Sequence, residues 1–406
     1  MTERLSYGRQ TIDEADIAAV VDALRSPYLT AGPLVGKFEA ALARWLGASH
    51  AVACASGTAA LHLAYAALGI GEGDEIITSP ITFSATAAAA YYVGARVRIA
   101  DVDPRSGNLT PASVEPLITA RTRAIVPVHL AGVPADLDEL LALARHRRLR
   151  VIEDACHALG ATYHGRLIGA DAAGPGHPAS DAVVLSFHPV KHITTAEGGA
   201  VIVRDPDTHR RLERLRSHGI ERDPARFTAH PHAAPWLYEV QELGWNYRLP
   251  DLACALGLSQ LAKLGQFVEA RRRLAACYRA ELAAAFGEAG RALTDAGVHP
   301  PPEFADRSSA YHLFAVAIDF PRYRTTRARV MQALADAGIG TQVHYIPLLD
   351  HPLHARRCPD ELGRPRPGAD HYYARTLSLP IYPTLTPGDV RRVVHELHRI
   401  LLGEAP

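Results

Sequence analysis

Ser186-Phe187-His188-Pro189-Val190-Lys191-His192-Ile193-Thr194-Thr195-Ala196-Glu197-Gly198-Gly199 joins two apolar, β-branched runs, Ala182–Ser186 and Ala200–Arg204. Each run reads as a strand, and the two are too tightly spaced for a full crossover helix, so they are expected to run antiparallel. Outward from this pair, five more short apolar runs precede it: Ala51–Cys54, Glu75–Ser79, Val97–Ala100, Ala124–Val128 and Leu149–Glu153. Helical patterns at Thr58–Leu68, Phe83–Val93 and Asp136–Arg147 separate most of them. Strand-helix alternation of this kind predicts a mainly parallel seven-stranded sheet flanked by helices, with one strand reversed. Beyond residue 250 the pattern changes to helices at Asp251–Leu264 and Phe267–Phe286, a strand at Leu313–Ile318, and helices at Thr326–Ala337 and Pro387–Leu402. The expectation is a large α/β domain over residues 1–250 and a smaller C-terminal α+β domain over 251–406. Gly169–Ser180 and Pro359–Pro367 read as surface loops.

The chain has 406 residues, enough for two or three domains. Its 43 basic residues balance 43 acidic ones, so no global charge draws it to nucleic acid or an anionic membrane, and an anionic ligand must be held locally. Five dispersed cysteines without a Cys-x-x-Cys pair suggest neither a disulfide framework nor a zinc knuckle. The apolar stretches near residues 59–70 and 85–97 are interrupted and short, and no export signal is visible, so a cytoplasmic protein is expected.

In open α/β sheets ligands bind beyond the carboxyl ends of the strands, which makes four positions informative. Ser56-Gly57-Thr58 lies between a strand and a helix, where free backbone N–H groups suit a phosphate, although the same turn serves as a plain helix cap. Asp154 closes the strand Arg150-Val151-Ile152-Glu153 as a buried carboxylate; it is either a cap on Ala155-Cys156-His157 or the partner of a protonated ring nitrogen. Lys191, enclosed by apolar and small residues, is placed for a partly desolvated amine that forms a Schiff base, whereas an isolated lysine is usually a solvated surface residue. Gly244-Trp245-Asn246-Tyr247-Arg248-Leu249 is a polar loop heading a helix, and alone it reads as an ordinary helix start. His351, His354 and Cys358 lie close together but match no standard metal-ligand spacing, and neither do His230 and His232.

In this order, Ser-Gly-Thr, Glu-Asp-Ala-x-His, Ser-Phe-His-x-x-Lys with Glu-Gly-Gly, and Asn-Tyr-Arg-Leu resemble the DegT-like sugar-nucleotide aminotransferases, fold-type I pyridoxal phosphate enzymes. The resemblance runs from Tyr7 to the C-terminal helix. Pro80-Ile81-Thr82-Phe83, His157-Ala158-Leu159-Gly160, Ile193–Gly199, Arg216-Ser217-His218-Gly219 and Gln342-Val343-His344-Tyr345 are most similar to the branch that serves pseudaminic acid biosynthesis.

The resemblance implies pyridoxal 5′-phosphate as a Schiff base on Lys191, with Asp154 on the pyridine nitrogen. It further implies Phe83 stacked on the ring and His157 at its other face or phenolic oxygen. Ser56, Gly57, Thr58 and Ser186 would hold the phosphate, and Asn246 would reach it from the partner subunit of a homodimer with shared sites. Tyr7, Pro27, Tyr28, Leu29, Thr30, Gly57, Ser186, Asn246, Arg248, Gln342, Val343, His344 and Tyr345 match positions that contact the substrate. Lys191, Asp154 and His157 form the implied catalytic set. The implied reaction moves an amino group from L-glutamate to the C-4 keto group of a UDP-linked 4-keto-6-deoxy-N-acetyl hexosamine. A dTDP-linked or C-3 keto sugar, or a non-catalytic regulatory protein, are the alternatives. Lys191 argues against the sugar dehydratases of the same scaffold, in which histidine replaces the lysine.

Overall fold

Seven strands form the central sheet: β1 (His50–Cys54), β2 (Glu75–Thr78), β3 (Arg96–Ile99), β4 (Thr122–Val126), β5 (Arg150–Asp154), β6 (Ala182–Ser186) and β7 (Gly199–Val203). The structure is a computed structural model that describes residues 4–171, 179–229, 234–287 and 293–403. The order across the sheet is β3-β2-β4-β5-β6-β7-β1. Only β7 is reversed, pairing antiparallel with both β6 and β1, as the spacing around Lys191 predicts.

Alternation along each strand explains why the apolar runs are nearly continuous. Ile77, Ile125 and Val151 enter the core on one face, whereas Ile76, Ala124 and Ile152 enter the core on the other. The first face is covered by α2 (Pro33–Leu46), α5 (Leu137–Arg147) and the start of α7 (Asp251–Phe286), which follow α1 (Glu14–Arg25). The second is covered by α3 (Gly57–Ala67), α4 (Ala85–Tyr92) and α6 (Pro206–Arg216).

The two helices expected at 251–264 and 267–286 are one helix of 36 residues, α7. Gly265 lies in the gap between the two expected ranges, but a helical glycine costs only about 1 kcal/mol, and packing on both sides of it outweighs that cost. Leu261, Leu264, Phe267 and Val268 join the core beneath the sheet. Leu274, Tyr278, Leu282 and Phe286 join a third core, with β8 (Val298–His299), β9 (Phe314–Ile318), α8 (Arg327–Asp336), β10 (Thr376–Leu379) and α9 (Pro387–Leu402). β8, β9 and β10 form an antiparallel three-stranded sheet. Among the described residues no helix is long and apolar enough to cross a membrane. His230 and His232, and most of the Gly169–Ser180 loop, lie outside the described residues.

Candidate active site

The carboxyl ends of β5 and β6 open onto a cavity of about 630 Å3. Its floor includes the start of α3, where Ser56 caps the helix by accepting a hydrogen bond from the Ala59 amide (3.1 Å). The first intrahelical bond runs from the Ala60 amide to the Ser56 carbonyl, so the amides of Gly57 and Thr58 precede it and carry the positive end of the helix dipole. A β-carbon on Gly57 would stand 3.0 Å from Ser186 Cβ and 3.2 Å from Cys156 Sγ, so glycine keeps this cradle open. Gly199 is needed for a different reason. A β-carbon there would lie 2.5 Å from the Ser56 carbonyl carbon, and its absence lets β7 run directly against the turn.

Asp154 ends the central strand and is 5% exposed. Its Oδ2 accepts a hydrogen bond from Thr86 Oγ1 (2.7 Å), and Oδ1 accepts from the Cys156 amide (3.2 Å). His157, three residues on, is equally buried; its Nε2 lies 3.1 Å from Tyr345 Oη, while its Nδ1 is buried without a partner among the described residues. The His157 ring is 4.3 Å from that of His312, which is 5.8 Å from His192. Burial first, and then the charge of Lys191, push His157 and His344 below the ordinary histidine value, His344 to about 3. Burial also holds His192 and His312 neutral.

Lys191 sits in the loop between β6 and β7. Phe187 anchors that loop in the core, edge-on to Phe38, and its carbonyl accepts bonds from the Thr195 amide and Thr194 Oγ1. The Lys191 amide closes a turn on the His188 carbonyl. Burial lowers the pKa of the Lys191 amine, with Cys156 and Asp154 acting the other way.

Of the residues singled out in the sequence, Tyr7, Ser56, Gly57, Thr58, Phe83, Asp154, His157, Ser186, Lys191, Gln342, Val343, His344 and Tyr345 line this one cavity. Pro27, Tyr28, Leu29, Thr30, Asn246 and Arg248 are not among its lining residues. Residues 27–30 and Asn246 are exposed on the chain's surface. Asn246 is nonetheless close to the turn, because the carbonyl of its neighbour Tyr247 accepts the Ala55 amide (2.8 Å). Arg216 proves to be a structural residue: it pairs with Glu39 and donates to the Ala53 carbonyl, bracing β1. The sequence reading missed Ser84, Cys156, His312 and His351, which also line the cavity. Cys156 lay in plain view between Asp154 and His157. His312 comes from the segment before β9 and carried no local signal.

A mainly parallel sheet with an Asp, a Lys and a helix start around one cavity is the arrangement of the fold-type I pyridoxal phosphate enzymes. The chain belongs to the DegT/DnrJ/EryC1/StrS aminotransferase family, whose profile matches residues 10–398. It is 37% identical over 403 residues to the spore coat polysaccharide biosynthesis protein SpsC of Bacillus subtilis, covering 98% of this chain and 97% of that protein. Among solved structures it resembles Helicobacter pylori PseC, an aminotransferase involved in the biosynthesis of pseudaminic acid (TM-score 0.86, 29% identity, 99% of this chain and 100% of that one). It also resembles S. venezuelae DesV (TM-score 0.83, 31% identity, 98% and 99%). Structures of Spr1654 of Streptococcus pneumoniae in PLP and PMP forms are similar as well (TM-score 0.84 for both, 25% and 26% identity, covering 99% and 98% of this chain and 100% and 99% of those).

The residues present fit the cofactor on chemical grounds. The glycine cradle at a helix start suits a phosphate, the buried Asp154 carboxylate suits a protonated ring nitrogen, and the unpartnered His157 Nδ1 suits a polar atom placed against it.

Proposed function

We propose that this enzyme moves an amino group from L-glutamate to the C-4 keto group of a UDP-linked 4-keto-6-deoxy-N-acetyl hexosamine, in pseudaminic acid biosynthesis. The observation that carries the aminotransferase chemistry is the convergence of Lys191, Asp154, His157 and the start of α3 on one cavity. The keto-sugar assignment is supported by the likeness to PseC along the whole chain and by the Gln342–Tyr345 segment on the cavity wall.

When bound, pyridoxal phosphate supplies the aldehyde that carries the amino group and the ring that takes up electrons. The protein's part follows from its own groups. Lys191 holds the cofactor in the resting enzyme; its amine, made less basic by burial, then takes and returns the proton at the reacting carbon. Asp154, fixed by Thr86 and the Cys156 amide, would be the carboxylate that pairs with the cofactor's protonated ring nitrogen. The amides of Gly57 and Thr58, with Ser186, hold the phosphate. Tyr345 orients the His157 ring through Nε2, and the buried Nδ1, without a partner among the described residues, would be the nitrogen free to contact a polar atom of the cofactor. Pro27–Thr30, Asn246 and Arg248 lie outside the cavity of their own chain and serve the partner's site in a homodimer.

Borohydride reduction followed by peptide mapping is expected to place a pyridoxyl group on Lys191; a label on Lys263, or none, overturns the lysine assignment. A screen of UDP- and dTDP-linked keto sugars with L-glutamate, read by mass spectrometry, is expected to give the C-4 amino product with the UDP sugar. Amination of dTDP or C-3 keto sugars alone would refute the narrower assignment.

A further inference from the structure

A buried polar chain stands behind one wall of the cavity and has no part in the chemistry assigned above. Ser84, beside Phe83, lines the cavity, and its Oγ lies 2.8 Å from His354 Nε2. His354 Nδ1 lies 3.1 Å from Tyr91 Oη, and that hydroxyl lies 3.3 Å from Cys358 Sγ. His354 and Cys358 are 1% and 4% exposed. Ser84 and Tyr91 belong to α4 and its cap, whereas His354 and Cys358 come from the segment 347–358, which also bonds to α4's approach through the Leu348 amide and the Pro80 carbonyl.

The hydrogens along this chain have two arrangements. With the imidazole proton on Nε2, His354 donates to Ser84, Tyr91 donates to Nδ1, and the Ser84 proton is left for the cavity. With the proton on Nδ1, His354 donates to Tyr91, Ser84 donates to Nε2, and the lone pairs of Ser84 face the cavity. Ser84 therefore offers a held hydroxyl that gives or takes one hydrogen bond. Its side chain does not cap its own helix, so that capacity is not spent on local structure. A four-member network buried at His354 and Cys358 is costly to assemble, and here its effect is to fix one hydroxyl at the cavity wall.

On the keto-sugar aminotransferase reading, on which this inference rests, we propose that Ser84 contacts the amino-accepting sugar, hydrogen-bonding one of its hydroxyl or amide groups. His354 and Tyr91 are the positioning residues that hold it. A sugar hydroxyl or an N-acetyl amide both gives and accepts hydrogen bonds and so suits either arrangement, whereas the carboxylates of L-glutamate only accept.

The test measures the two half-reactions of the holoenzyme separately, with L-glutamate and with the UDP-linked 4-keto sugar, for wild type, Ser84→Ala, Ser84→Thr and Tyr91→Phe. Ser84→Ala is expected to raise KM for the keto sugar about five- to tenfold, the worth of one hydrogen bond. The L-glutamate half-reaction should move no more than about twofold. Ser84→Thr, which keeps the hydroxyl, should recover most of the loss, and Tyr91→Phe should give a smaller rise of the same sign. An unchanged keto-sugar KM in Ser84→Ala, or an equal loss in both half-reactions, overturns the proposal. If wild type aminates no keto sugar nucleotide, the aminotransferase reading itself fails and takes this inference with it.

Discussion

Thr86→Val removes a single hydroxyl from the middle of a buried chain. Thr86 is fully buried; its Oγ1 lies 2.7 Å from Asp154 Oδ2 and 2.8 Å from Thr82 Oγ1. A carboxylate only accepts, so Thr86 donates to Asp154 and Thr82 donates to Thr86, and every hydroxyl in the chain points toward the charge. Valine keeps the bulk and deletes the donor. A hydrogen bond to a charged group is worth about 1.5–3 kcal/mol, and leaving the Thr82 hydroxyl against a methyl group adds about 1 kcal/mol. The cofactor-free protein should therefore lose about 3 kcal/mol. Thr86→Ser keeps the hydroxyl and drops one methyl group, for a loss of about 1 kcal/mol. Equilibrium urea unfolding of wild type, Thr86→Val, Asp154→Ala and the double variant isolates the pair, with an expected coupling of about 2 kcal/mol. Losses that add to within about 0.5 kcal/mol, or a serine variant as damaged as the valine one, would refute the view that Thr86 holds the carboxylate.

Three further outcomes are expected. His157, His192, His312 and His344 are held neutral by burial, His344 with a pKa of about 3. Below about pH 6.5 the unfolded chain binds protons at these sites that the native state does not, so stability should fall with decreasing pH by up to about 1.4 kcal/mol per pH unit per histidine. Urea midpoints at pH 7.5 and 5.5 check this, and His312→Asn should flatten the slope; an unchanged slope would show that His312 takes up its proton in the folded protein. Gly57→Ala should weaken pyridoxal phosphate binding to the cofactor-free protein by about tenfold or more, because the new methyl group crowds Ser186 and Cys156; fluorescence titration with wild-type affinity would move the phosphate off this turn. Mixing Lys191→Ala chains with chains inactivated at Asn246 should restore activity through hybrid dimers, and activity that stays absent despite subunit exchange shown by mass spectrometry would return Asn246 to its own chain's site.

How much of this was legible in the sequence depended on how far apart the partners lie along it. The strands stood out because both faces of the sheet are buried, so runs such as Val151-Ile152 are apolar at every position. The reversal of β7 followed from the short span around Lys191 alone. The division of α7 into two helices, 251–264 and 267–286, failed for the opposite reason: what carries α7 through is packing against two different cores, information absent from the local sequence. Thr82 precedes α4 and Thr86 lies in its first turn, so their side chains are close along the chain, but their importance depends on Asp154, 68 residues away. His354 and Cys358 drew attention as possible metal ligands; in the fold they face Ser84 and Tyr91, more than 260 residues earlier.

The same distinction separates the two halves of the site. A parallel sheet brings the carboxyl ends of its strands to one edge whatever lies between them, so residues just after β1, β5 and β6 lie along the same edge in any sequence with this topology. Gly57, Asp154, His157 and Lys191 could be picked out on that ground before any contact was known. The opposite wall has no such rule. Tyr345, His312 and His351 reach the cavity on segments that leave the third core and return to the large sheet, as Leu348 and Leu349 do in packing beneath α3 and α4. That wall meets the strand-end residues through His157, whose ring contacts Tyr345 and His312, and not through the hydrogen bonds that fix Asp154. Of the two walls, it is therefore the one on which acceptor preference can change while Lys191 and Asp154 keep their places, and Ser84, tied across by His354, is where the two walls meet.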